Sequence, residues 1–336
     1  MTAPAPAPPP GPVALEAKSL SKRFPIGGLF SKREVHALTD VSVTLRRGHV
    51  VSLVGESGSG KSTTARLIAR LMPPTAGEIF YGGKDVLKSE PSHASLAYRG
   101  DVQMIFQDPF GSLNGSHTIQ HHLERPLRIH KKVRGEEIKD RVDELLATVG
   151  LNPPRDFADK YPHQLSGGQR QRVAFARALA VEPTVVLADE PISMLDVSIR
   201  MGVLNLMEQL KEERGLAYLY ITHDIASARY IGDEIVVMYA GRMVESGPSV
   251  ELIAEPAHPY TKLLLSAVPN PKAAKRGVTA RGEIPSLIDP PPGCPFAARC
   301  PAVMDVCRKV IPGPIVVGPN HWVRCHLYSP GAAVAV

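Results

Sequence analysis

Residues Gly55, Glu56, Ser57, Gly58, Ser59, Gly60, Lys61 and Ser62 read G-E-S-G-S-G-K-S, the spacing of a phosphate-binding loop. Glycine lets the backbone turn so that successive N–H groups point at one anion. Lys61 adds a full positive charge, and a helix expected from Thr63 adds the partial charge of its N-terminus. The Ser62 hydroxyl can ligate Mg²⁺. An apolar run at residues 50–54 leads straight into the loop, as a buried strand would. Strand, loop and helix in that order imply binding of a nucleoside triphosphate, ATP or GTP.

A second apolar run, residues 185–188, delivers Asp189 and Glu190 at its C-terminal tip, the edge of a parallel sheet where ligands collect. Asp189 suits the hydration shell of Mg²⁺, and Glu190 suits a general base that polarises an attacking water. The plainer reading of such a pair is a cap at a strand end; beside a phosphate loop the catalytic reading is favoured. Ser166, Gly167, Gly168 and Gln169 precede a long helix expected at 170–180, and a hydroxyl with free N–H groups there makes another anion site. His223 follows the apolar run 217–222 and, alone, would read as a satisfied core histidine.

The frame for these residues follows from periodicity. Residues 14–21 and 37–45 alternate polar and apolar, predicting antiparallel strands ahead of the loop. Residues 77–81 and 101–106 predict further strands, the second ending at Gln107. From 112 to about 180 the pattern is mostly helical, with apolar residues at three- and four-residue spacing in 136–149. The runs 184–188 and 217–222 suit central parallel strands. The expected fold is α/β: a phosphate-loop NTPase core with an antiparallel β subdomain and a helical insert. From 255 onward a proline-rich stretch holds all four cysteines and predicts a separate, irregular C-terminal extension. The expected divisions are a disordered Pro/Ala tail at 1–12, a nucleotide-binding domain at 13–254 (helical subdomain about 112–180), and the extension at 255–336.

Of the 336 residues, 21% are charged and 43% hydrophobic, ordinary globular values that leave room for one large α/β domain and a smaller appendage. The formal net charge of +6 is mild, and the basic residues are interspersed with acids, so the concentrated stripe of a nucleic-acid binder is missing. No stretch approaches the ~20 apolar residues needed to cross a bilayer. Residues 2–12 lack the basic start and apolar centre of a secretion signal. The chain is therefore expected in the cytoplasm, working on a membrane only through partners.

Position by position, these motifs resemble the ATP-binding-cassette (ABC) ATPases, the nucleotide-binding subunits of ABC transporters, over about residues 13–255 and in the family's order. The resemblance implies ATP with Mg²⁺, held by residues 55–62 with Thr63, and it implies roles for the residues that match. Phe24 falls where the family stacks an aromatic ring on adenine, although the loop after it, 25–35, is longer than in minimal members. Gln107 matches the residue that touches the metal and the attacking water, and it opens the segment facing the membrane partner. Ser166, Gly167, Gly168 and Gln169 match the signature motif, which contacts ATP held by the opposite subunit. Ser193, Met194, Leu195 and Asp196 match the loop that crosses the dimer interface, with methionine where alanine is usual. His223 matches the switch histidine at the γ-phosphate. With Lys61, Asp189, Glu190, Ser166 and His223 all present, the subunit is expected to supply active parts to both composite sites of a dimer.

Two C-terminal features resemble the oligopeptide/dipeptide permease branch: residues 255–264, E-P-A-H-P-Y-T-K-L-L, and residues 291–301, P-P-G-C-P-F-A-A-R-C-P. Residues 107–114 fit the same branch, whereas Gly115, Ser116 and His117 depart from it near the expected contact with the membrane subunit. Cys294, Cys300, Cys307 and Cys325 include no C-x-x-C, so zinc-ribbon spacing is absent. Four thiols in a weakly cored segment still point to a metal staple, and a reducing cytoplasm disfavours disulfides. Resemblance to the permease extension implies a [4Fe–4S] cluster on these four cysteines, with Zn²⁺ or no ligand as alternatives. His321 and His326 flank the last cysteine and are candidate substitute ligands, although the reading as solvated surface residues is favoured.

Taken together, the resemblance implies the ATP-hydrolysing subunit of an importer of di- and oligopeptides, at the cytoplasmic face of the cell membrane. The expected partners are a second, homologous ATPase subunit, two transmembrane permease subunits and an extracytoplasmic substrate-binding protein, with no nucleic acid. Members of the branch also carry nickel, glutathione or oligosaccharides, and the cargo is not written in this subunit. The rival class is a soluble ABC ATPase acting on DNA or ribosomes. Such proteins carry long coiled-coil inserts or two cassettes in one chain, and this sequence has neither. A pure scaffold is opposed by the intact Glu190 and His223.

Overall fold

The computed structural model describes residues 11–27, 33–91, 93–133, 135–267, 285–290 and 292–329. The expected Pro/Ala tail (but for its last two residues) and positions 28–32 after Phe24 lie outside the described residues. Two sheets organise the rest. The smaller is antiparallel and combines β1 (Val13–Ile26), β2 (Arg33–Arg46), β4 (Ala76–Tyr81) and β5 (Lys84–Asp85) in the order β2-β1-β4-β5. The larger holds β3 (Val50–Val54), β6 (Val102–Ile105), β7 (Val185–Asp189), β8 (Ala217–Thr222), β9 (Glu234–Tyr239), β10 (Arg242–Pro248), β11 (Ile315–Gly318) and β12 (His321–Val323). Its order is β11-β12-β10-β9-β3-β8-β7-β6, and the run from β9 to β6 is parallel.

Every residue of β3, β7 and β8 is buried, as expected for continuous apolar strands covered on both faces. One apolar cluster lies between the two sheets, joining Leu15, Leu20 and Val43 to Leu53, Leu187 and Leu219. A second joins the sheet to the helical insert, whose main helices are Ile119–Ile129, Glu137–Thr148 and Gly167–Leu179. Their buried Leu123, Leu127, Val142, Leu146 and Val173 recur at three- and four-residue steps, so each helix turns one apolar face inward.

Some boundaries move for local reasons. The helix after the phosphate loop is Lys61–Ile68, two residues earlier than expected, because Gly60 at φ 101° ends the loop directly before it. The helix expected from Arg170 begins at Gly167, inside the Ser-Gly-Gly-Gln motif, since Ser166 caps it. Asp101 closes the helix Leu96–Asp101 and does not open β6.

The segment after 255, expected as separate, is docked on the core. β12 pairs antiparallel with β10 and so extends the main sheet. Glu245 on β10 is fully buried and accepts hydrogen bonds from the backbone N–H groups of Ala257 (2.7 Å) and His258 (2.9 Å). The Thr261 hydroxyl also donates to it, and His321 Nε2 lies 2.8 Å from its other oxygen. A buried carboxylate surrounded by donors in this way clasps a chain that has little core of its own.

Candidate nucleotide-binding and hydrolysis site

β3 lies between β8 and β9, so the loop it feeds emerges at the C-terminal edge of the parallel sheet. Gly58 and Gly60 hold φ 77° and 101°, conformations that suit glycine. A Cβ at Gly55 would stand 2.2 Å from the carbonyl oxygen of Met238, so only glycine fits there. Lys61 is buried, and its Nζ donates to the carbonyl oxygens of Gly55 (2.7 Å) and Glu56 (2.9 Å), which points the ammonium across the loop. Burial pulls its pKa below the usual lysine value, opposed by the carboxylates of Glu190, Asp189 and Glu56. Ser59 Oγ is buried and has no partner, which suits an anionic ligand's oxygen. Ser57 is exposed, and Thr63 is half-buried on the first turn of the helix.

Ser62 Oγ donates to Asp189 Oδ1 at 2.8 Å, so the hydroxyl and carboxylate expected to share Mg²⁺ stand side by side. Burial raises the Asp189 pKa, which the Ser62 hydrogen bond opposes. A divalent cation would supply the charge that this buried carboxylate lacks. The donor set is a hydroxyl and a carboxylate, the hard oxygen ligands that Mg²⁺ takes.

Three strand ends bring together the residues expected to act in hydrolysis. Glu190 directly follows β7, His223 directly follows β8, and Gln107 lies just beyond β6; these strands are neighbours in the sheet. Gln107 Nε2 donates to Glu190 Oε2 at 3.0 Å, and His223 Nδ1 lies 3.2 Å from the same oxygen. Glu190 has φ 46°, an uncommon left-handed conformation for a residue other than glycine. Its N–H donates to Ile221 O (2.9 Å), and the Ser193 hydroxyl donates to its carbonyl (3.0 Å), fixing the turn on both sides.

The other predicted residues face outward. Ser166 is exposed, and its hydrogen bonds form a capping box: its Oγ accepts from Gln169 N–H (3.3 Å), and its own N–H donates to Gln169 Oε1 (3.0 Å). Gly167 lies near Leu195, while a Cβ on Gly168 would stand 2.4 Å from Ile199 Cγ2, so the close approach of the two helices needs glycine there. The structure thus does not join Ser166 to this chain's own phosphate loop. Asp196, exposed, precedes the helix Val197–Arg214 without using its side chain as a cap. Next to it Met194, Val197 and Met201 are 55%, 75% and 41% exposed, an apolar patch that a partner could cover. Phe24 on β1 is 38% exposed, with Lys22 Nζ 5.1 Å from its ring centre. His117, in the divergent stretch after Gln107, stacks its ring on that of His121 in the helix Ile119–Ile129 at 4.1 Å.

Cys294, Cys300, Cys307 and Cys325 line one small cavity together with His258 and His326, and all four thiols are free. Burial pushes the Cys294 thiol up to about 11 and raises those of Cys300 and Cys325. Among the described residues, no three or more His, Cys, Asp or Glu are placed to hold a metal ion. His321 is engaged by Glu245, and His326 Nε2 lies 2.9 Å from Val310 O. Both histidines are buried, and each has its Nε2 engaged in this way.

Sequence reasoning missed two residues that reach the loop from the C-terminal segment, Tyr260 and Arg299. Glu56 N–H donates to Tyr260 Oη (2.9 Å), and Arg299 pairs with the Glu56 carboxylate. Both lie inside the C-terminal motifs at 255–264 and 291–301, but nothing local shows that they reach a loop some two hundred residues away.

A phosphate loop, a Mg²⁺-type Ser/Asp pair and a glutamate flanked by glutamine and histidine on adjoining strand ends define the class: a P-loop ATPase of the cassette type. The family described as ABC transporter matches residues 38–193, and the oligopeptide/dipeptide transporter C-terminal region matches residues 244–307. The oligopeptide transport ATP-binding protein AppF of Bacillus subtilis (strain 168) is 45% identical over 324 residues, covering 94% of this chain and 97% of that protein. The dipeptide transport ATP-binding protein DppF of Escherichia coli (strain K12) is 45% identical over 302 residues, covering 89% and 90%. Among solved structures, the ATP-binding cassette MJ0796, described as a dimer bound to ADP and Pi after hydrolysis, is 33% identical with a TM-score of 0.60, covering 70% of this chain and 98% of that one. The chain belongs to the ABC ATPase family, as an ATP-binding subunit with the oligopeptide/dipeptide-type C-terminal region.

Proposed function

We propose that this chain hydrolyses ATP to drive import of di- and oligopeptides through partner membrane subunits, bound peripherally at the cytoplasmic face of the membrane. The observation that carries the hydrolytic part is the meeting of Gln107, Glu190 and His223 at one carboxylate oxygen. Glu190 takes the proton of the attacking water, Gln107 orients that water, and His223 senses the γ-phosphate. Lys61 and the loop N–H groups hold the phosphates against developing charge. Ser62 and Asp189, with Gln107, would hold Mg²⁺, which when bound neutralises charge on the β- and γ-phosphates. Phe24 stacks on the base.

The outward-facing Ser166–Gln169 and Asp196 act on a partner's nucleotide. Two subunits close around two ATP molecules, each held between one loop and the opposite signature motif, and the second is a homologous but different ATPase. The exposed patch at Met194 and Val197 supports such an interface. The peptide assignment is supported by the match at 244–307 and by relatives whose names state oligopeptide and dipeptide transport. No helix among the described residues is long and apolar enough to cross a membrane. Gentle detergent extraction and affinity capture of the full chain should co-purify two multi-spanning membrane proteins and a second ATPase. Capture with ribosomes or DNA instead, and no membrane subunit, would overturn the transport reading.

For the cysteine cavity we propose a [4Fe–4S] cluster on Cys294, Cys300, Cys307 and Cys325. The support is the chemistry of the donor set: four unpaired thiols line one cavity, and thiolates are the ligands that iron–sulfur clusters take. When bound, the cluster would supply iron–thiolate bonds that tie the segment to itself. Protein purified without air should be brown with about four iron per chain, and Cys300→Ser should lose the colour. Colourless protein containing one zinc per chain would select the alternative.

A further inference from the structure

An acid inside a phosphate-binding loop is electrostatically out of place. Glu56 is the second residue of the loop, and its own carbonyl, with that of Gly55, receives the Lys61 ammonium. An uncompensated carboxylate there would repel the nucleotide's phosphates. The C-terminal segment compensates it. Arg299 grips Glu56 as a fork, Nη1 to Oε2 at 2.7 Å and Nη2 to Oε1 at 3.0 Å. Bidentate pairing of this kind fixes geometry as well as charge. Tyr260 Oη accepts the Glu56 backbone N–H at 2.9 Å and so holds the same residue by its main chain.

Arg299 is itself held in place. Its side chain is 9% exposed and lies against the packed rings of Tyr239 and Phe296, with centroids 5.7 and 5.9 Å away, while Nη1 donates to Tyr239 Oη at 3.3 Å. The rings of Tyr239, Tyr260 and Phe296 pack on one another. Cys294 and Cys300 pack against this same apolar cluster, and a turn closed by Ala297 N–H to Cys294 O and Arg299 N–H to Phe296 O carries Arg299 between the two cysteines. Arg299, together with Tyr260, therefore joins the cysteine-bearing segment to the phosphate loop.

We propose that Arg299 and Tyr260 are positioning residues of the phosphate loop, by which the cysteine-bearing segment sets the affinity for nucleotide. The inference rests on residues 55–62 being the nucleotide site. A plain staple between segment and core would contribute stability alone; charge compensation also predicts that removing the acid removes the need for the arginine.

The test uses the full chain titrated with a ribose-labelled fluorescent ATP analogue and Mg²⁺, alongside melting without nucleotide and the KM and kcat of hydrolysis. Arg299→Ala should weaken binding about tenfold to a hundredfold and raise KM, with kcat changed much less. Arg299→Lys, which keeps charge but not the fork, should fall between it and the native chain. Tyr260→Phe should weaken binding by about threefold to tenfold. Adding Glu56→Gln to Arg299→Ala should return affinity to within about threefold of native, a non-additivity that marks direct coupling. Native affinity in Arg299→Ala overturns the proposal, as does a loss that Glu56→Gln leaves unrelieved. If Arg299→Ala fails to fold, native affinity in both Arg299→Lys and Tyr260→Phe overturns it. A native chain that binds no analogue at all instead removes the nucleotide reading beneath it.

Discussion

Glu190→Gln stops ATP turnover and leaves ATP bound: steady-state phosphate release should fall by about 10²–10⁴-fold, the usual worth of a positioned general base. The amide has the shape of the carboxylate and can still accept the hydrogen bond that Gln107 Nε2 gives to Oε2. Its carbonyl oxygen can likewise face His223 Nδ1, now 3.2 Å from that atom. The amide cannot take a proton from water. The geometry survives and the base is lost, so nucleotide and closed dimer should accumulate together. Size-exclusion chromatography with MgATP and the partner ATPase should show a dimer with the variant at protein concentrations where the native pair dissociates. Phosphate release near the native rate would reject Glu190 as the base and move the search to His223, the other titratable group at this point.

Lys61→Ala has the opposite signature, with binding lost before turnover can be measured. Charge-assisted contacts are worth about 1.5–3 kcal/mol each. An ammonium that reaches two phosphate oxygens thus supplies about 3–6 kcal/mol, or about 10²–10⁴ in dissociation constant. A further cost comes from the loop itself. The Gly55 and Glu56 carbonyls now accept from Nζ, and alanine leaves both without that partner at a buried turn. Equilibrium binding of MgATP checks this directly, and an affinity within about fivefold of native would show that the loop N–H groups carry the site without the lysine. The two variants separate binding from chemistry: one holds ATP without cleaving it, the other does not hold it.

Residues 55–62 were legible in the sequence because a phosphate loop works through consecutive backbone turns, and its parts need no distant partner. The same holds for β3, β7 and β8, whose apolar runs report burial on both faces. The insert helices announced themselves by the spacing of residues such as Val142, Leu145 and Leu146. Asp189 and Glu190 could be placed at a strand tip, but not beside Gln107 and His223; that required the order β6-β7-β8-β3, which is set by which strands pair and is encoded in no single segment.

The C-terminal segment shows the limit most clearly. Its proline content and sparse apolar residues gave the reading of a separate extension, because composition reports the core a segment can build by itself. Tertiary structure decided otherwise: β10 offers an edge to β12, Glu245 clasps residues 257–261, and Arg299 reaches Glu56 across 243 positions of chain. Contacts between such distant residues depend on how finished elements pack, so the chemistry of the site is local in the sequence while the control of its shape belongs to the fold.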